Sequence, residues 1–484
     1  MRVALCFACS LCLGCGGASA SPPPGHAVTS TPSALPSPTT RPAAAADAPF
    51  KPPEIIERRL DNGIRLLMVE RRELPLLRLE AVILRGAADA PSSVASFAAD
   101  MLSERARESG APIAEVRAGL DAVTFGGWGV TRWWSSSNLS SQAFDAMAKL
   151  LLQPELGEEA FYSERQRRLS RANDDLDPWV LLARYRRTSL YPREHPYREG
   201  AQGELGDAAT TTPEAVQRFA AQSFFPDDLV LIAVGDIARE SFVDSVRLAF
   251  GRFRGHAPPR APLGEILGPP PGATLTVIDE PGFPRAHVRV AARAVRQGSP
   301  DAEPLEVLNA VLGSTVVSRL SVNLREEKAW SYGSYSSIAA GRSNGLFEAW
   351  ATVERADTVA ALGEISSEIQ RLRDELLGAE ELARVKRAIV RRLPMRFATL
   401  ASTVDALERL AIYELPADEY TKSAQKLEAV TSADVRRVAR AYLAPDALRW
   451  FVLTDSPSVR DALLASPFRD FAEVSPRVPV QLVK

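Results

Sequence analysis

The sequence predicts an α+β fold made of two similar domains, each an antiparallel sheet packed by helices, and three observations carry that prediction. First, segments with the 3.6-residue apolar period of helices alternate with short apolar runs of strand composition. Second, successive strand segments meet at tight turns such as Asp61-Asn62-Gly63 and Glu280-Pro281-Gly282, and turns that short join antiparallel neighbours. Third, the chain repeats itself at long range. Residues 212–236 read T-P-E-A-V-Q-R-F-A-A-Q-S-F-F-P-D-D-L-V-L-I-A-V-G-D, and residues 431–455 read T-S-A-D-V-R-R-V-A-R-A-Y-L-A-P-D-A-L-R-W-F-V-L-T-D. Thr, Val, Arg, Ala, Pro-Asp, Leu and the final Asp coincide at a constant offset, so each copy is a capped helix, a Pro-Asp turn and an apolar strand. A duplication over such a distance points to two related domains.

The start of the chain reads as a targeting segment. Arg2 supplies a charged region and residues 3–13 a short apolar core. Leu13-Gly14-Cys15 resembles a lipoprotein cleavage box, with Cys12 where leucine is usual, and Ala18-Ser19-Ala20 would suit an ordinary signal peptidase. The reading preferred is a signal over 1–20 with lipid attached to Cys15. All four cysteines, Cys6, Cys9, Cys12 and Cys15, lie in this leader. Their spacing imitates an iron–sulfur run, but an export signal that is cleaved away holds no cluster. Residues 21–53 are rich in Pro, Ala, Ser and Thr and read as a disordered tether.

Composition excludes some classes for the remainder. The 484 residues are 46% hydrophobic and 24% charged with a formal net charge of -2, the balance of a soluble globular chain of two or more domains. No basic face for nucleic acid is indicated.

Taken in order, residues 54–257 form a first domain. Strands are expected at 64–69 and 76–84, a helix opening at Pro91 with Val94, Phe97, Ala98, Met101 and Leu102 on one face, a short helix at 112–120, and strand at 123–137. Helices follow at 141–152, 157–174 and 181–190. The Pro- and Gly-rich stretch 258–272 reads as a linker. Residues 273–484 form the second domain, with strands at 273–278, 287–292 and 346–353 and helices at 302–312, 358–377 and 379–392.

Within it, residues 324–335 read L-R-E-E-K-A-W-S-Y-G-S-Y. Arg325 ends a helix and Tyr332, seven positions on, opens a strand, so the two can converge. Guanidinium offers fixed donors and phenol one, and together they can hold a carbonyl or an oxyanion.

At this point the chain resembles the pitrilysin/insulinase family of zinc metallopeptidases, in the bacterial branch built from separate subunits, over most of residues 55–464. The resemblance rests on Leu60-Asp61-Asn62-Gly63, Asn138-Leu139 leading to Pro154-Glu155, His195-Pro196-Tyr197, Pro226-Asp227 before Val234-Gly235-Asp236, and Asp279-Glu280-Pro281-Gly282. Most specific is Asn323-Leu324-Arg325-Glu326-Glu327-Lys328 followed by Tyr332-Gly333. The resemblance implies two domains forming a half-shell, one half-shell supplying zinc through an inverted H-x-x-E-H helix and the other an Arg–Tyr pair. By resemblance Arg325 and Tyr332 are that catalytic and substrate-binding pair.

The zinc motif itself is lost. The matching helix reads Ser96-Phe97-Ala98-Ala99-Asp100, and the downstream ligand would fall near Ser170–Arg171. Catalytic zinc needs three side-chain ligands and an open position, so no metal is expected in this chain. His195 and His287 are isolated, and Asp100 and Glu104 read as a solvated helix edge. The resemblance therefore implies a catalytically incomplete subunit that works as a heterodimer with a homologous zinc-bearing partner on a peptide substrate. Lipid anchoring facing the periplasm, or a soluble periplasmic form, is expected. The rival expectation is a non-catalytic scaffold or peptide-binding lipoprotein of the same fold.

Overall fold

The computed structural model describes residues 50–484 apart from 109–112, 119–120, 131–138, 155, 171–176, 202, 204, 476–477 and 484. The signal, Cys15 and nearly all of the tether lie outside the described residues, as do Asn138, Glu155 and Arg171.

Among the described residues the N-terminal half holds strands β1 (Ile56–Arg59), β2 (Arg65–Glu70), β3 (Leu76–Ile83), β4 (Ile113–Ala118), β5 (Val123–Val130) and β6 (Leu229–Gly235). Its helices are α1 (Ser92–Glu108), α2 (Leu139–Leu152), α3 (Glu158–Ser170), α4 (Pro178–Leu190), α5 (Leu205–Thr210), α6 (Pro213–Ser223) and α7 (Arg239–Phe250). The C-terminal half holds β7 (Leu275–Asp279), β8 (Ala286–Ala294), β9 (Ser334–Ala339), β10 (Gly345–Val353), β11 (Arg449–Thr454), β12 (Phe471–Ser475) and β13 (Val478–Val483). Its helices are α8 (Ala302–Leu312), α9 (Thr358–Asp374), α10 (Ala379–Arg392), α11 (Leu400–Ile412), α12 (Glu419–Ala429), α13 (Ser432–Tyr442) and α14 (Arg460–Leu464).

The strand orders are β1-β2-β6-β3-β5-β4 and β13-β12-β7-β11-β8-β10-β9. Most neighbours are antiparallel, but β2–β6, β7–β11 and β7–β12 run parallel. The repeat accounts for β6 and β11. Each follows a long helical excursion, which lets it return parallel to one neighbour and antiparallel to the other. The equivalence extends to local detail. Thr212 and Thr431 cap α6 and α13 through their hydroxyls, and Pro226–Asp228 and Pro445–Ala447 form matching single turns before the strands.

The central strands are buried on both faces, which is why β6 reads as the continuous apolar run L-V-L-I-A-V-G. One face of the N-terminal sheet packs on its own helices through Leu77, Leu79, Ala81 and Ile83. The other face is covered by α11 from the C-terminal half, with Val404, Leu407 and Leu410 against Val69, Val230, Ile232 and Val234. Reciprocally, Leu181, Leu182 and Leu190 of α4 cover Ile278, Ala291, Phe451 and Leu453 of the C-terminal sheet. Each half lends one helix to the other.

The expected helix at 112–120 is instead the edge strand β4, whose Ile113, Val116 and Ala118 register with Gly127, Phe125 and Val123 of β5. The local Ala-Glu-Val-Arg-Ala run favours a helix, but ladder hydrogen bonds to a strand already fixed in the sheet outweigh that weak preference. Residues 258–271 carry no regular structure, in keeping with a linker.

Candidate functional site

The C-terminal half builds one exposed site from a departure in helix geometry. The helix entering from Leu320 widens into a π-helical turn over Ser321–Glu327, closed by the Lys328 N–H donating to the Asn323 carbonyl at 3.2 Å. Leu320 and Leu324 are fully buried and fix the inner side of the turn. Asn323 anchors it to α9, its amide donating to Glu364 at 2.8 Å and to Glu368 at 3.3 Å, while Lys328 Nζ donates to Asn323 Oδ1 at 2.8 Å. The bond from Asn323 and then that from Lys328 hold the Glu364 carboxyl below its usual range.

The chain then reverses sharply. Ala329 takes a left-handed backbone at φ 54°, a region costly for a residue with a Cβ. Trp330 and Ser331 N–H groups both donate to the Leu324 carbonyl, at 3.0 and 3.2 Å. This reversal brings Tyr332 back beside Arg325: the guanidinium carbon lies 5.4 Å from the phenol ring centre. Tyr332 is 84% exposed, and Arg325 is half-exposed with Glu326 at 3.3 Å as its ion partner. A guanidinium and a phenol thus stand together on the surface.

The edge strand β9 that follows is largely committed. The Ser336 N–H donates to Gly313, and the Ser334 carbonyl accepts from Ser321.

In the N-terminal half, α1 presents Ser96, Ala99 and Asp100 where the inverted motif would stand. Ser96 Oγ donates to the Ser93 carbonyl and accepts from Arg168 Nη1 at 3.0 Å, and Asp100 pairs with Arg168 Nη2 at 2.5 Å. Glu104 pairs with Arg167 at 2.9 Å. The acidic edge of α1 is therefore ion-paired to α3 and not merely solvated, a correction to the sequence reading. A hydroxyl, a methyl and a carboxylate already neutralised do not make a zinc site. Among the described residues no group of three or more His, Cys, Asp or Glu could hold a metal ion. Ser170 donates to the Arg167 carbonyl at 2.8 Å.

His195 and His287 are held in structural contacts. His195 Nδ1 accepts from the Tyr197 N–H at 3.1 Å, and its Nε2 faces Ser343 of the other half at 3.3 Å. Burial lowers its pKa. Tyr197 donates to Asp121 at 2.8 Å and accepts from the Arg342 N–H at 2.9 Å, so this motif joins the two halves. His287 is buried on β8 against Thr352, with its pKa driven down to about 3 by burial and then by Arg289.

Sequence reasoning singled out Arg325 and Tyr332, which lie side by side, but gave no role to Asn323 as an anchor or to Arg168 as a partner of α1. The charged run of α3 was the available signal for the latter, and nothing local in it shows which helix it meets.

The peptidase M16 inactive domain family matches residues 210–389. An uncharacterized zinc protease of Mycobacterium tuberculosis is 28% identical over 181 residues, covering 37% of this chain and 40% of that protein. The chain thus spans under half the length of the curated relatives it matches. The peptidase M16 inactive domain structure from Pseudomonas fluorescens superposes with a TM-score of 0.72 at 19% identity, over 83% of this chain and 98% of that one. The first half of the periplasmic protease PqqL from Escherichia coli gives 0.68 at 14% identity, over 86% and 95%. Against whole PqqL the score is 0.67 and the match covers 49% of that protein. Residues 210–389 thus resemble the peptidase M16 inactive domain, and the fold is that of the M16-like peptidase structures, in a chain with Ser96, Ala99 and Asp100 at the positions of the metal motif.

Proposed function

We propose that this chain is the Arg/Tyr-bearing subunit of a two-chain zinc metallopeptidase. One observation carries the reading: Arg325 and Tyr332 stand together on the surface, while at the metal-motif positions of the same chain Asp100 is ion-paired to Arg168, Ser96 accepts a hydrogen bond from it and residue 99 is an alanine. The match to half the length of PqqL supports it, since a half-shell of this size leaves room for a second. The partner is a homologous chain with an intact H-x-x-E-H helix, and zinc and the attacking water belong there.

In this reading the Arg325 guanidinium grips a carbonyl of an extended peptide, and its fixed fork orients the chain. Tyr332 donates its phenolic hydrogen to the oxyanion that forms as the carbonyl becomes tetrahedral. Export to the periplasm, with or without a lipid on Cys15, gives the complex its compartment.

The test is to mix the chain with an H-x-x-E-H relative encoded beside it and follow peptide hydrolysis. Neither chain alone should cleave. In the mixture Tyr332→Phe should lower kcat by about 10²–10³, and Arg325→Ala should raise KM as well as lower kcat. Unchanged rates in both variants would leave a scaffold of the same fold as the better account.

A further inference from the structure

The charged face of α3 meets α1 where the metal of an active relative would sit, and four groups there close on one guanidinium. Arg168 donates from Nη1 to Ser96 Oγ at 3.0 Å, from Nη2 to Asp100 Oδ2 at 2.5 Å and from Nε to Glu164 Oε1 at 2.8 Å. Its face lies 4.0 Å from the centre of the Phe97 ring. Ser96 and Asp100 are the positions of the two histidines of the inverted motif, so the cation is centred between the displaced ligands. The side chains of Arg168 and Glu164 are 12% and 5% exposed, while that of Asp100 is 43% exposed and forms the open edge of the cluster. Arg167 closes the outer side, bridging Glu164 at 3.0 Å and Glu104 at 2.9 Å. A planar guanidinium with each nitrogen matched to an oxygen and an aromatic ring beneath it is a fixed cation in a built site.

We propose that Arg168 is a built-in cation that takes the place of the metal ion in this half of the fold, tying α1 to α3 and closing the site to divalent metals. An ion entering there would meet a positive charge and oxygens already committed. The N-terminal half therefore owes nothing to metal loading. This inference stands apart from the reading of Arg325 and Tyr332: it concerns the other half and needs no partner chain.

The experiment is thermal unfolding and metal analysis of the purified full chain. Wild type should melt at the same temperature with chelator, Zn²⁺ or Mn²⁺ and hold no stoichiometric metal. Arg168→Ala should melt about 5 °C lower or more, and millimolar Mn²⁺ should restore part of that loss, because Asp100 and Glu164 then lack their shared cation. Arg168→Lys keeps the charge without the fork, so it should fall between the two and ignore metal. It also carries the test should the alanine variant not fold. Stoichiometric zinc in wild type overturns the proposal, as does an alanine variant that melts like wild type or a lysine variant that responds to Mn²⁺.

Discussion

Two buried carboxylic acids give the clearest consequence at the scale of single residues. Glu80 on β3 is buried beneath α11 with Glu408 beside it, and its Oε1 lacks a hydrogen-bond partner. Burial, then the neighbouring Glu408, pushes the Glu80 carboxyl up from 4.5 to about 8, and burial raises Glu408 too. Arg78 and Arg117 oppose the shift without cancelling it. A carboxyl whose folded pKa is raised contributes stability that is fully present below about 4.5 and lost as pH rises through about 8. Glu80→Gln stays neutral throughout, so its melting temperature should gain on that of wild type as pH goes from 5 to 8. A constant difference across that range would show that Glu80 ionises normally. Asn323 is the second such residue. Asn323→Ala removes the amide that Glu364 and buried Glu368 accept from and should cost about 1–3 kcal/mol in denaturant unfolding. In the mixed-chain assay it should act as a positioning residue, lowering the rate by displacing Arg325 and leaving the partner's affinity intact.

Among elements, α11 bears the largest share of the joint between the halves. Leu407 is fully buried on it, facing strands of the other sheet. Leu407→Ala should cost about 2–5 kcal/mol, and hydrogen exchange should then rise in β6 and β3 of the N-terminal sheet as well as in α11. Protection lost only within α11 would mean that the sheet does not depend on the borrowed helix. The elements also show what could be read from sequence. α8 and α10 have the bounds expected from their apolar stripes, because an amphipathic helix is specified by residues three and four apart. The 113–118 strand was missed because its pairing partner, not its own composition, decides it. The π-helical turn was legible only as a helix end, since one widened hydrogen bond leaves no mark on the apolar period.

At the scale of the whole molecule, the duplication was visible in the letters, and the fold it implied is the one observed. The surface pair could be proposed because Arg325 and Tyr332 are close in sequence. The Arg168 contacts could not, because they span 68 and 72 residues and depend on how α1 and α3 cross. What the letters also hid is the exchange of helices between halves. The sequence reads as two domains and a linker, yet α4 and α11 each complete the other half's sheet. A peptide-bond break within 258–271 would therefore sever the backbone without separating the product fragments. Each would still clasp the other by an arm, and they would travel together through gel filtration until a denaturant pulled both arms free.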